Sequence, residues 1–229
     1  MKKSLTILIC YRNEEHNIVL SGKAMIKALQ KNSIKYKIIF YNDGCNDNSE
    51  ENVKKNFNKN CYFYSNKKSM GIRYMYKKMI KLVNTEYFSI MSGNNNFKTE
   101  DYNKLFSKIK KNKKMIIHYI PNSVEKRGFT RSMISQIFIW LMRSIFHKNI
   151  LYFTGQNIYS TKLLKKFNPT YKYSIFQVQM FLSSLSKINN NEFETCKTNF
   201  YKRTSGRTKS IKINNIIEVI NFLWKRNLS

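Results

Sequence analysis

Tyr36-Lys37-Ile38-Ile39-Phe40-Tyr41-Asn42-Asp43-Gly44-Cys45-Asn46-Asp47-Asn48-Ser49 reads as a strand, a tight polar turn and the start of a helix. The apolar run Ile38-Ile39-Phe40-Tyr41 is rich in β-branched and aromatic residues, which suit a pleated, buried strand. Asp43-Gly44 is a turn pair, because glycine takes positive φ at no steric cost. A strand that ends in an acid-and-glycine turn and feeds a helix is the ligand-binding edge of an α/β sheet. Acid is scarce here: 13 Asp and Glu stand against 42 Lys and Arg. Two of those acids, Asp43 and Asp47, fall in this one turn.

Outward from the turn the same alternation repeats. Short apolar runs at 3–10, 35–41, 61–64, 87–91 and 115–120 read as strands. Between them, 14–30, 49–57, 72–83 and 99–109 carry apolar residues at helical spacing, such as Ile18, Met25, Ile26 and Leu29. Glu100 and Asp101 stand in a first helical turn, where the macrodipole favours carboxylates. Alternating strands and helices predict a three-layer α/β/α fold with a mostly parallel central sheet. Ligands on such a sheet bind beyond the carboxyl ends of the strands, where 12–15, 42–47 and 92–96 fall.

The second half differs. Ile134, Ile137, Phe138, Leu141 and Ile145 recur at helical spacing, widened by Ile139 and Trp140 and flanked by Arg131 and Arg143. A membrane span needs roughly 20 apolar residues. This stretch is shorter and polar-interrupted, so it is a core helix or an interfacial one, with the core helix preferred. A last amphipathic helix is expected at 213–225. Residues 5–10 form too short an apolar run for a secretory signal. Cys10, Cys45, Cys61 and Cys196 have no metal-type spacing and suit reduced thiols in a cytosolic protein.

The formal net charge of +29 admits a polyanionic partner or a merely solvated lysine-rich surface. Lysines are spread thinly, with no basic stripe interleaved with aromatics, so nucleic acid is set aside. Attraction to an anionic membrane fits better, at about 1 kcal/mol per basic residue near the surface.

Four motifs in order resemble family 2 glycosyltransferases of the GT-A fold, in the dolichol- or polyprenyl-phosphate mannose synthase-like branch. They are Cys10-Tyr11-Arg12-Asn13-Glu14-Glu15, Asn42-Asp43-Gly44-Cys45-Asn46-Asp47, Ser92-Gly93-Asn94 and Arg203-Thr204-Ser205-Gly206-Arg207-Thr208-Lys209. The resemblance spans about 4–226 and implies one Rossmann-like domain over 1–229. Its 4–120 half would bind a nucleotide sugar, and its helical 121–229 half the acceptor. It implies inverting transfer from a nucleotide-sugar donor to a polyprenyl-phosphate or glycan acceptor, at the inner, cytoplasmic face of a membrane touched only peripherally.

By the same resemblance, Arg12, Asn13, Glu14, Asn42, Asp43 and Gly71 would seat the nucleotide. Arg131, Ser135 and His118 would hold the acceptor phosphate, and Arg131, Arg203 and Lys209 would grip the phosphates during transfer. A divalent cation, Mg2+ or Mn2+, would normally sit on an Asp-x-Asp pair. Here Ser92 and Asn94 replace both acids, leaving Asn94 and Asn96 as candidate ligands. Asn42 replaces the first acid of the Asp-Asp-Gly turn, and Ser69-Met70-Gly71 stands where Gly-Lys-Gly is common. These departures keep open a catalytically impaired protein that grips nucleotide or lipid phosphate without turnover. A basic nucleic-acid binder is the remote alternative. Without any family, Asn13-Glu14-Glu15 is also a helix cap, and Asp43-Gly44 also just a turn.

Overall fold

The computed structural model describes residues 2–121, 129–148, 150–151, 155–165, 167–168, 173–199 and 201. Seven strands form one sheet: β1 (Ser4–Tyr11), β2 (Lys35–Asp43), β3 (Cys61–Asn66), β4 (Tyr87–Met91), β5 (Met115–Tyr119), β6 (Ile158–Ser160) and β7 (Phe193–Lys197). Their order is β3-β2-β1-β4-β6-β5-β7. Only β6 runs against its neighbours, pairing antiparallel with both β4 and β5, while β7 is parallel to β5. All other strands therefore present their carboxyl ends along one edge.

The helices are α1 (Ile18–Lys31), α2 (Ser49–Asn56), α3 (Ile72–Met79), α4 (Thr99–Ser107), α5 (Phe129–Phe146), α6 (Thr161–Leu164) and α7 (Tyr173–Leu185). Strand alternation sorts the core into two layers, because successive side chains point to opposite faces. Leu5, Ile7 and Ile9 of β1 join residues of α1 and α4, such as Met25, Leu29 and Phe106. Leu8 and Ile39 face the other way, toward Met75, Tyr76, Phe176 and Phe181 of α3 and α7. The three-layer, mostly parallel expectation holds.

Three details differ. The expected 14–30 helix starts later, at Ile18, because 14–17 form a turn in which the Asn17 and Ile18 amides both donate to the Glu14 carbonyl. The second half, expected to be helical, contributes β6 and β7 to the same sheet. The core placement of α5 is overturned on one face. Met133, Ile137 and Trp140 are 48%, 55% and 65% exposed, at i, i+4 and i+7, while Ile145 and Phe146 pack on the core. The expected helix at 213–225 lies outside the described residues.

Candidate functional site

Four loops and one trailing segment meet at the carboxyl edge: 12–17 after β1, 44–48 after β2, 67–71 after β3, 92–98 after β4, and 198–201 after β7. The first two are stitched together mainly by polar side chains that can both donate and accept. Asn13 takes the left-handed region, φ 56°, which asparagine tolerates. Its Nδ2 donates to Asn46 Oδ1 at 2.6 Å, and its Oδ1 accepts from the Asn46 amide at 3.1 Å. The Glu14 amide donates to Ser49 Oγ at 2.8 Å. The Glu15 amide donates to Asp47 Oδ2, and Glu15 Oε2 accepts from the Asn48 amide. Arg12 stands outside this stitching, with an exposed side chain.

Asn42 and Asp43 are also spent inside the protein. Asn42 is 3% exposed; its Oδ1 accepts from the Cys45 amide at 2.7 Å and its Nδ2 donates to Glu50 Oε2 at 2.5 Å. Asp43 accepts from Ser69 Oγ and the Met70 amide, both at 2.7 Å, and from the Gly71 amide at 3.2 Å to each oxygen. It thereby pins the loop before α3 against the turn after β2. That approach is close enough to need glycine: a Cβ on Gly44 would lie 2.9 Å from the Ser69 amide nitrogen, and its φ is +73°. Asn42 and Asp43, expected to contact the nucleotide, here close loops: three donors, Ser69 Oγ and the Met70 and Gly71 amides, already converge on the Asp43 carboxylate. Gly71 opens α3 at φ 79° with its amide turned to Asp43.

The loop after β4 is built the other way. The Asn95 amide donates to Ser21 Oγ, and Asn96 exchanges bonds with Tyr201: Nδ2 to its carbonyl at 2.7 Å, carbonyl from its amide at 3.0 Å. Asp101 holds the amides of Lys98 and Asn199, and the Lys98 ammonium sits 4.6 Å from the Tyr201 ring centroid. The segment after β7 is clamped on this loop. Yet, among the described residues, Asn94 Oδ1 and Asn96 Oδ1 are buried with no hydrogen-bond partner. An acceptor left this way costs about 1–3 kcal/mol, so both oxygens suit a donor from outside.

Those oxygens fit a resident divalent cation poorly. Both are neutral amides, and hard-cation affinity follows ligand charge. Among the described residues no three His, Cys, Asp or Glu side chains cluster as a metal set. Of the two acids that open α4, Glu100 is exposed and Asp101 is bonded at both oxygens.

His118, at the end of β5, is 1% exposed. Its Nδ1 accepts from the Gln156 amide at 3.1 Å, so Nε2 carries the proton toward Thr198 Oγ1 at 2.5 Å. Burial pushes its pKa down to about 4. Both nitrogens are engaged and the ring lies 4.9 Å from that of Phe97, so the acceptor-phosphate expectation for His118 is corrected to a neutral tie between β5 and the segment after β7. Gln156, missed by the sequence reading, lies beside it, two residues before β6. It is 7% exposed, beside the buried Tyr102; it belongs to no motif that could have flagged it.

Arg131 and Ser135 lie on α5, but their side chains are outside the described ones; Arg203 and Lys209 lie outside the described residues. Among the described residues no helix is long and apolar enough to cross a membrane.

Residues 6–182 match the model of glycosyl transferase family 2. Among solved structures, the chain resembles glucosyl-3-phosphoglycerate synthase from Mycobacterium tuberculosis with Mn2+, UDP-glucose and phosphoglyceric acid. The TM-score is 0.70 at 10% identity, over 98% of this chain and 79% of that one. The same synthase with Mg2+ and UDP gives 0.68 at 10% identity, over 98% and 79%. No curated protein matches.

Proposed function

Because the chain belongs to glycosyl transferase family 2 and has the GT-A fold, we propose that it moves a sugar from a nucleoside-diphosphate sugar to a polyprenyl phosphate, or secondarily to a glycan. The observation that carries this reading is the convergence of the β1, β2, β3 and β4 loops and the segment after β7 on one sheet edge, with unpaired buried acceptors in its middle. Arg12, Asn13, Glu14 and Gly71 border the donor. Asn42 and Asp43 shape the loops that hold it. Asn94 and Asn96 offer their free amide oxygens to hydroxyls of the donor sugar. Arg131, Ser135, Arg203 and Lys209 grip the acceptor phosphate and the leaving diphosphate by charge-assisted hydrogen bonds.

An acceptor phosphate is already an anion, so no general base is needed. Its oxygen lone pair forms the new bond at the anomeric carbon from the face opposite the leaving group. The old carbon–oxygen bond breaks and its electrons leave on the nucleoside diphosphate, inverting the centre. The acceptor's lipid tail accords with the exposed face of α5, where Met133, Ile137 and Trp140 stand on a strongly basic chain. Tryptophan favours the headgroup level of a bilayer, so contact with the membrane is peripheral.

The solved relatives carry UDP, UDP-glucose and a phosphorylated small acceptor, so phosphoglyceric acid is the competing acceptor. Mass spectrometry of reactions with UDP- and GDP-sugars, offered polyprenyl phosphate or phosphoglyceric acid, tests the reading; no product with any pair sinks turnover. The replacement of acids by Asn42, Ser92 and Asn94 favours a second reading, a binder without turnover. That protein would bind UDP or GDP in calorimetry yet yield no product.

A further inference from the structure

Resting on the donor reading above, we propose that the guanidinium of Arg12, and not a divalent cation, carries the countercharge for the donor diphosphate. The solved relatives hold UDP with Mn2+ or Mg2+. Here the loop where such a cation would be anchored offers neutral oxygens only: Ser92, Asn94 and Asn96. Four acids of the edge are occupied elsewhere. Asp43 accepts four contacts, Asp101 caps two amides, Glu50 takes Asn42 and Lys54, and Asp47 takes the Glu15 and Ser49 amides.

Arg12 is placed to replace the ion. The last paired residues of β1 and β4 are Ile9 and Met91. β1 and β4 are neighbouring parallel strands that both leave the sheet at this edge, so Arg12, directly after β1, and Asn94, in the loop after β4, stand on adjacent loops. Its neighbours Asn13, Glu14 and Glu15 are tied to the loop after β2, whereas Arg12 is exposed and makes no ion pair among the described residues. A guanidinium is permanently charged and matches two phosphate oxygens at once. A site that neutralises diphosphate with its own cation has no use for carboxylates at 92 and 94, which would repel the ligand. The amides there are then left for sugar hydroxyls.

Calorimetry of the full chain with UDP and with GDP, in EDTA and again in Mn2+, tests this. One of the two nucleotides binds in EDTA, and Mn2+ changes the affinity less than about threefold. Arg12→Gln weakens binding in EDTA by about tenfold or more, and Arg12→Lys recovers part of the loss. The thermal melting of both variants stays unchanged, as befits an exposed side chain. Asn94→Asp weakens binding in EDTA and regains it in Mn2+. Binding by the wild type only in Mn2+, or an Arg12→Gln affinity unchanged in EDTA, overturns the assignment and leaves the donor reading standing. Absence of binding in both buffers overturns the donor reading, and Arg12 falls with it.

Discussion

The loops after β1 and β2 and the loop after β4 use the same residue, asparagine, to opposite ends. In the first pair, Asn13, Asn42 and Asn46 each meet a partner within the protein, and the loops become one stiff wall. In the second, Asn94 and Asn96 keep a buried oxygen free. The contrast separates residues that build a site from residues that await a ligand, although a sequence shows the same letter for both.

The largest expected break of that contrast is at Asp43. Asp43→Ala removes the charged acceptor of the Ser69 hydroxyl and of the Met70 and Gly71 amides and frees the loop before α3. It lowers unfolding free energy by about 3 kcal/mol or more in urea titrations.

His118 comes next. Its folded pKa of about 4 lies below the ordinary 6.5, so the unfolded chain takes the proton first. Stability is full above about pH 6.5 and is lost as pH falls toward 4, by about 3 kcal/mol. His118→Gln removes that share of the pH slope in unfolding measured between pH 7 and 4.

Smaller is Asn42→Asp, which restores the acid usual in the family. It sets a carboxylate against Glu50 in place of a donated hydrogen bond and costs about 1–3 kcal/mol. Glu50, held below the ordinary carboxylate range first by Lys54 and then by Asn42, titrates higher by NMR. A gain in stability would show that the wall does not need its amide.

The smallest effect belongs to the other loop. Asn94→Ala removes an unpaired buried acceptor, so stability does not fall and rises by up to about 1 kcal/mol, while binding of the sugar nucleotide weakens in calorimetry. A large destabilisation instead would make Asn94 another structural amide and erase the contrast.

The first five strands and four helices were legible because their periods are clean: β1 to β5 alternate or run apolar, and α1 to α4 carry one buried stripe. The later elements gave weaker signals. β6 is three residues long, and β7, Phe193-Glu194-Thr195-Cys196-Lys197, is an edge strand with a salt-bridged acid in it. α7 is buried at Phe176, Val178, Gln179, Met180, Phe181 and Leu182 alike, so it shows no single stripe. At the site, sequence placed the loops correctly but could not aim their side chains. The bonds that Asn42 and Asp43 make were not legible, because hydrogen-bond direction is set by neighbours distant in sequence, such as Ser69 and Glu50. The exposed face of α5 was misplaced for a related reason: an apolar stripe records what a helix can cover, not what covers it.

The reversed strand β6 has a consequence for how the chain is made. β4 and β5 are joined to one sheet only when β6 slips between them, and β5 gains its outer partner only with β7 at Phe193–Lys197. On a ribosome adding about 5–20 residues per second, β5 waits roughly 4–16 s for that partner. During the wait the nascent chain shows an open apolar strand pair, the kind of edge that recruits other chains. A fragment ending near residue 120 would be frozen in that state, so it should aggregate rather than fold as half a protein.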